Sequence, residues 1–481
     1  MDIMQKSNWK IIYSNYDGIE KSAINFISRE MGKYVLRNMG EYSLPVLAIE
    51  KFDVSQLDKN AVIIGLYGEN TLIQKYIKKD EIPENGYIVK VFDNPENEEL
   101  KIAIIAANEP VNVFYGAADF IDDYFSFAIP ERADIKYPKE LFEGKMPDYK
   151  SALYPTVKTR NVFAWGHPIT NYKEYLENMA RMKLNQLILW NDFAPLNKKE
   201  FTDCAHSFGI SVMWGYAWGW SLDCSEINLE ALDKVSDAAI EKFEKEYAKD
   251  GVDGIYFQSF TELEREKIGD KLIAEAVTDF VNSTAEKLLE KFPGLHIQFG
   301  LHATSVKDRL EFIAKVDKRV EIIWENSGSF PYNNSPFVKS EKDYEETKSF
   351  TEKIINLREE GAFGMLYKGQ LRLDWSKFMH QAGPYIIGDA SAEGAQHDRE
   401  MYKPLWKHFQ NNWIKNGRYA YDMTKYIVAK ERKDVTLGMA GQFAGGRWFS
   451  QALCAEIIYN CDRPYEEIFS KVSARHSVDM V

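Results

Sequence analysis

The sequence predicts an α/β protein: a (β/α)8 TIM barrel, preceded by a small α/β domain and followed by a helical C-terminal extension. Three observations carry this reading. The first 150 residues alternate strand-like and helix-like segments. From Thr159 a short apolar or aromatic run ending in polar residues, then a helix, recurs eight times. Beyond about residue 395 the pattern turns helical and aromatic. The expected domains are therefore 1–150, 151–395 and 396–481.

In the first domain, Trp9–Tyr16 reads as a strand. Gly18–Met39 reads as an amphipathic helix, with Ile19, Ala23, Ile24, Ile27 and Met31 on one stripe. Val46–Glu50 and Ala61–Leu66 suit buried strands, and Thr71–Lys79 a short helix. Tyr87–Val91 and Leu100–Ala106 form a paired unit across the polar loop Asp93–Asn97. Val111–Tyr124 closes the domain as a helix. Residues 129–157, rich in Pro and charge, read as a linker.

The eight barrel runs are Asn161–His167, Leu184–Asp192, Ile210–Trp220, Val252–Glu262, Leu295–Ala303, Val320–Ser327, Ala362–Gln370 and Pro384–Ser391. Helical patterns such as Tyr172–Met182, Leu229–Lys249, Lys271–Phe292, Val306–Val316 and Glu341–Glu359 separate them. Gly209, Gly251, Gly294 and Gly361 fall at helix ends, where the left-handed conformation stops a helix. Eight such units over about 240 residues match a closed barrel. A doubly wound open sheet would want a Gly-rich first turn, and Ala164-Trp165-Gly166-His167-Pro168 is not one. In the tail, Met401–Glu431 and Trp448–Tyr459 read as helices.

Composition narrows the function. The chain has 481 residues and a formal net charge of -13, which disfavours nucleic acid as a partner. The N-terminus lacks the apolar run of a secretory signal, and no stretch of about 18 apolar residues suggests a membrane span. Cys204, Cys224, Cys454 and Cys461 lack metal-ligand or disulfide-framework spacing, so reduced thiols and a cytoplasmic location are expected. Nothing in the sequence calls for a cofactor or indicates an oligomeric state.

A β/α barrel builds its site at the carboxyl ends of its strands. Four runs carry an acid there: Asp192, Glu262, Glu325 and Asp389. Asp192 and Asp389 also suit helix N-caps; Glu is a poorer cap, which favours Glu262 and Glu325 for chemistry. Glycoside hydrolysis needs two carboxyl groups, one to protonate the leaving oxygen and one as nucleophile or base. Glu262 and Glu325 lie two strands apart, so their backbones should be roughly 10 Å apart. Inward side chains then reach either the about 5–5.5 Å of retaining or the about 6.5–9.5 Å of inverting enzymes.

Seven of the 11 Trp (Trp165, Trp190, Trp214, Trp218, Trp220, Trp324 and Trp375) fall in or just beyond the runs, where they suit sugar faces or core. His167, His302, Asn191, Gln258, Tyr367 and Lys368 are candidates to hydrogen-bond hydroxyls, and Asp374 is a candidate base. No His-x-His or His-x-x-x-His pair marks a metal site at these ends.

The architecture resembles carbohydrate-active barrels with a small N-terminal α/β domain, chiefly the family 67 α-glucuronidases and family 20 β-hexosaminidases. Three stretches carry the likeness. Ile104-Ile105-Ala106-Ala107-Asn108, followed by Phe114-Tyr115-Gly116-Ala117, looks like a segment of their N-terminal domain. Gly251–Phe257, leading to Thr261-Glu262, looks like the fourth strand of the α-glucuronidases, which implies Glu262 as general acid. Gly446–Leu453 looks like their helical C-terminal region. Family 20 enzymes pair Asp-Glu where this chain has Thr261-Glu262, which puts assistance by a substrate N-acetyl group in doubt. Ala362–Gln370 ends without a carboxylate, where other retaining barrels carry a nucleophile.

The expected function is thus an O-glycoside hydrolase acting on terminal bonds of a carbohydrate substrate. Glu262 is expected as general acid, its pKa raised by the neighbours Tyr256, Phe257 and Phe260, and Glu325 as base or nucleophile. Lys368, Arg372 and Arg160 are candidates to bind an acidic sugar. A hexosaminidase-like enzyme and a non-catalytic glycan-binding barrel are the alternatives. A lyase or aldolase would need a phosphate nest at the last two loops, which Gly369 and Gly388 alone do not make.

Overall fold

The computed structural model describes residues 9–33, 46–49, 57–126, 146–164, 169–191, 193–219, 228–250, 252–263, 265–303, 305–325, 341–359, 362–370, 385–388, 401, 403–430, 434–441 and 448–476. Contacts divide the chain into two compact units that part between Pro155 and Thr156, with two short later segments grouped with the first.

The first unit is a six-stranded sheet in the order β2-β1-β3-β5-β4-β6. Its strands are β1 Trp9–Tyr13, β2 Val46–Ala48, β3 Asn60–Leu66, β4 Tyr87–Asn94, β5 Asn97–Ala107 and β6 Tyr149–Leu153. β2, β1, β3 and β5 are parallel; β4 runs antiparallel to β5 and to β6. Alternation along β5 explains the two-sided core. Ile102, Ile104 and Ala106 join Ile12, Ile63 and Ile88 on one face, against Ile73 and Ile77. Ile105 faces the other way, toward the helix Pro110–Asp119. A Cβ on Gly116 would lie 2.9 Å from Ile105 Cγ2, so glycine there lets that helix approach the sheet. Phe114 of this helix meets Phe26 of the helix Gly18–Gly32, ring centres 5.3 Å apart. Part of the expected linker is structured, because β6 extends the sheet beside β4.

The second unit is a closed barrel of eight parallel strands. They are β7 Thr159–Ala164, β8 Gln186–Trp190, β9 Ser211–Gly215, β10 Gly254–Gln258, β13 His296–Leu301, β14 Val320–Glu325, β15 Phe363–Tyr367 and β16 Val435–Ala440. A ribbon of two short strands, β11 Lys267–Ile268 and β12 Lys271–Leu272, sits outside the ring. Six strands fall within the expected runs, and β7 overlaps its run but starts two residues earlier. The eighth does not: Tyr385–Gly388 forms no strand and turns at Ile387–Gly388, and β16 closes the barrel between β15 and β7. The apolar run there is short and punctuated by Pro384 and Gly388, the latter at φ +87. Its backbone bonds to a loop instead, with Leu196 N donating to Tyr385 O at 2.8 Å and Ile387 N to Asn197 Oδ1 at 2.9 Å. The barrel thus needs residues well past 395, and helical structure follows it at Phe449–Tyr459 and Tyr465–Arg475. Of the expected glycine stops, Gly209 takes the left-handed conformation at φ +72 and Gly294 does not; Gly251 and Gly361 lie outside the described residues.

Strand alternation sorts the lumen into levels. Phe163, Ile188, Met213, Tyr256, Ile323 and Leu366 pack together across it as an apolar middle level. Two residues earlier on four strands come Asn161, Gln186, Glu321 and, from β13, Gln298: a polar floor. Two residues later than the middle level come Trp190, Gln258, Glu325 and Lys368, with His302 just past β13: a polar mouth. Among the described residues, no helix is long and apolar enough to cross a membrane.

Candidate active site

Glu325 ends β14 and is fully buried. It points into the lumen because Ile323, two residues before it, does so. Its Oε2 lies 2.8 Å from His302 Nε2 and 3.2 Å from Lys368 Nζ. Its Oε1 accepts from the Tyr256 hydroxyl and from Gln258 Nε2. Gly300 makes room for this: a Cβ there would overlap the Tyr256 hydroxyl and lie 2.8 Å from Glu325 Oε1. Glu262 sits just past β10, in the single helical turn Phe260–Glu262. Its Oε1 lies 2.7 Å from His302 Nδ1, and its side chain is 36% exposed, against 0% for Glu325. The two glutamates therefore sit on opposite nitrogens of one imidazole.

The charges follow from this geometry. Burial pushes the Glu325 carboxyl up, but the neighbouring His302 and Lys368 charges outweigh it and hold the group at about 2. Burial pulls His302 down, yet Glu325 and Glu262 bring it up to about 9. At neutral pH the ring is an imidazolium, so both nitrogens donate, one to each carboxylate. Gln258 Nε2 lies 3.2 Å from His302 Nε2, but both atoms then carry hydrogen, and its productive bond is the one to Glu325. Burial first, then the Glu325 charge, drives the Tyr256 phenol far above its usual value, so it stays a donor.

The structure brings Glu262, Glu325, His302, Lys368 and Gln258 together at the ends of four neighbouring strands, and adds Tyr256. Tyr256 stands in the sequence only as an apolar neighbour of Glu262. The pleat reveals its partnership: Tyr256 and Gln258 share the inward face of β10. Several expectations change. Lys368 is a buried countercharge to Glu325 and His302 a bridge between carboxylates, so neither is free for a sugar hydroxyl. Trp214 is buried outside the strands, stacked 5.7 Å from Tyr247, and Trp218 lies 3.7 Å from Phe257. Trp324 packs on Phe350 at 5.2 Å. All three occupy the layer between strands and helices, because each alternates with a lumen-facing neighbour or follows the strand's outer face. Tyr367 likewise faces outward, to Thr424. Arg160 lies near the start of β7, away from the mouth, bonded to the Lys183, Val157 and Lys158 carbonyls. Trp190 alone of these four Trp faces the lumen, edge-on to Tyr256 at 6.1 Å. Trp165, His167, Asp192, Trp220, Arg372, Asp374, Trp375 and Asp389 lie outside the described residues. Among the described residues no cluster of three or more His, Cys, Asp or Glu is placed to hold a metal.

The chain is an α/β barrel protein with a charged, hydrogen-bonded cluster at the carboxyl ends of its strands. No family model matches it, and no curated protein does. Among solved structures, CpGH84D is similar over 98% of this chain and 90% of its own length, at 10% identity and a TM-score of 0.41.

Proposed function

We propose that this chain is a glycoside hydrolase acting on terminal O-glycosidic bonds, with Glu262 as general acid. One observation carries the reading: a partly exposed carboxyl group at a barrel strand end, bonded to a buried imidazolium. The His302 Nδ1 proton passes through the Glu262 carboxylate to the glycosidic oxygen as its bond to the anomeric carbon breaks, and water adds to that carbon while a second carboxyl group takes its proton. Glu325 has both oxygens occupied and no exposure, which supports anchoring the imidazolium rather than attacking a sugar. The second carboxyl group is then sought among Asp192, Asp374 and Asp389. Neither Lys368 nor Arg160 supports an acidic sugar, since one is ion-paired and the other is away from the mouth.

The test is a panel of aryl glycosides, including glucuronides and N-acetylhexosaminides, with Glu262→Gln beside the wild type. The variant should lose roughly 10²–10⁴ in kcat on the hydrolysed glycoside while melting at the same temperature. Undiminished turnover by Glu262→Gln sinks the assignment. A second reading, a non-catalytic glycan-binding barrel, draws on the capping of Glu325 by Lys368 and His302. Saturable glycan binding with no hydrolysis across the panel would favour it.

A further inference from the structure

The floor of the barrel lumen has its own chemistry, independent of the glycosidic reading. Asn161, Gln186, Gln298 and Glu321 are 1%, 4%, 0% and 2% exposed. They form one belt. Asn161 pairs in register with Gln186, and Gln298 with Glu321. Across the lumen, Gln298 Nε2 donates to Gln186 Oε1 at 2.9 Å and to Glu321 Oε2 at 2.8 Å. Two acceptors around that nitrogen fix the amide's orientation, so Gln298 Oε1 is the oxygen left over. Among the described residues it has no hydrogen-bond partner within bonding geometry; nor have Asn161 Oδ1, Asn161 Nδ2 and Glu321 Oε1, although the Thr436 side chain also acts on the Glu321 carboxyl group. Three acceptors against one donor, all buried, are costly unless something electropositive meets them.

Glycines let the side chains of this level sit close against the neighbouring strands. A Cβ on Gly438 would fall 1.4 Å from Asn161 Oδ1, and Gly254 and Gly364 also lack side chains facing Met213 and Ile323. Glu321 Oε2 is held by His296 Nε2 at 2.8 Å and by Gln298 Nε2 at 2.8 Å. His296 occupies only one of the two carboxylate oxygens, and its side chain is 41% exposed toward the start of β13.

We propose that this floor binds a single monovalent cation, of the sodium or potassium class, through Glu321 Oε1, Gln298 Oε1 and Asn161 Oδ1. The donors are all oxygen, which suits a hard cation. One carboxylate already shared with His296 offers too little charge for a divalent ion, and thiolate or imidazole ligands for a transition metal are missing from the set. The bound ion ties β7, β13 and β14 together beneath the strand that carries Glu325.

The test is thermal melting of the full chain in NaCl, KCl and tetramethylammonium chloride at equal ionic strength. The melting temperature should rise saturably with sodium or potassium relative to the bulky cation, as for any ligand of the native state. Glu321→Gln should abolish that difference; if that variant does not fold, Gln298→Met takes its place. Rubidium or thallium(I) in crystals should give an anomalous peak between Asn161, Gln298 and Glu321. Equal melting in all three salts overturns the proposal and leaves water as the floor's only occupant. A cation response that survives both substitutions overturns it as well.

Discussion

The mouth and the floor of the barrel lumen are both polar belts on the same alternating positions, yet they are satisfied differently. At the mouth the described charges pair off: Glu262, His302, Glu325 and Lys368 alternate in sign, and both oxygens of Glu325 are occupied. At the floor one carboxylate meets His296 at its rim and neutral amides within, and among the described residues three oxygens lack a partner within bonding geometry. An apolar level of six side chains separates them. The mouth is organised to hold a protonated ring beside an accessible acid, whereas the floor is organised to accept.

The strongest way to break this comparison is at Glu325. Glu325→Gln removes the carboxylate that buried His302 and Lys368 share, so it should cost about 3–5 kcal/mol in urea unfolding. Adding Lys368→Met should recover much of that loss. A single-variant cost below about 1 kcal/mol would mean the mouth is not a coupled network. At the floor, Gly438→Ala forces a methyl group onto Asn161 and should cost about 1–3 kcal/mol. The same change in an Asn161→Ala background should cost less, since only the Asn161 carbonyl, 2.9 Å from the new methyl group, still crowds it, and equal costs in both backgrounds would show that the side-chain clash is relieved elsewhere.

Protonation sharpens the contrast. His302 is raised to about 9 from an ordinary 6.5, so its contribution to stability is complete below pH 6.5 and is lost as pH climbs through 9. Glu325 is lowered to about 2 from 4.5, so its contribution is complete above pH 4.5 and is lost as pH falls toward 2. The mouth is therefore most stabilising between about pH 4.5 and 6.5. Unfolding free energy measured from pH 6.5 to 9 should decline, and His302→Gln should remove that decline; an unchanged alkaline slope in the variant would be falsified evidence for the imidazolium. The smallest effect belongs to Glu262→Gln. Its side chain is partly exposed, so stability should move by under about 1 kcal/mol while turnover collapses.

Much of the fold is legible in the sequence because it rests on local pattern. The repeat of an apolar run and a helix marks seven barrel strands, and Leu100–Ala106 reads as the partner of Tyr87–Val91, a pairing that β5 and β4 make. The eighth strand was not legible. Tyr385-Ile386-Ile387 and Val435-Thr436-Leu437 are both plausible runs, and only closure beside β7 selects the second. Of the site, the sequence marks Glu262 and Glu325 as acids at strand ends, since Glu is a poor helix cap there.

What the sequence by itself determined is the periodicity: which residues alternate on each strand, and hence that Tyr256, Gln258, Ile323 and Glu325 share faces. Only the tertiary structure decided the partners. Closing the ring brings β10, β13, β14 and β15 side by side, and places one imidazole between two carboxylates that lie 63 positions apart in the chain. It also sends Trp214, Trp218 and Trp324 outward into the core. Period-two alternation says that neighbouring residues face opposite ways. Which way is inside depends on strands that the local sequence cannot see.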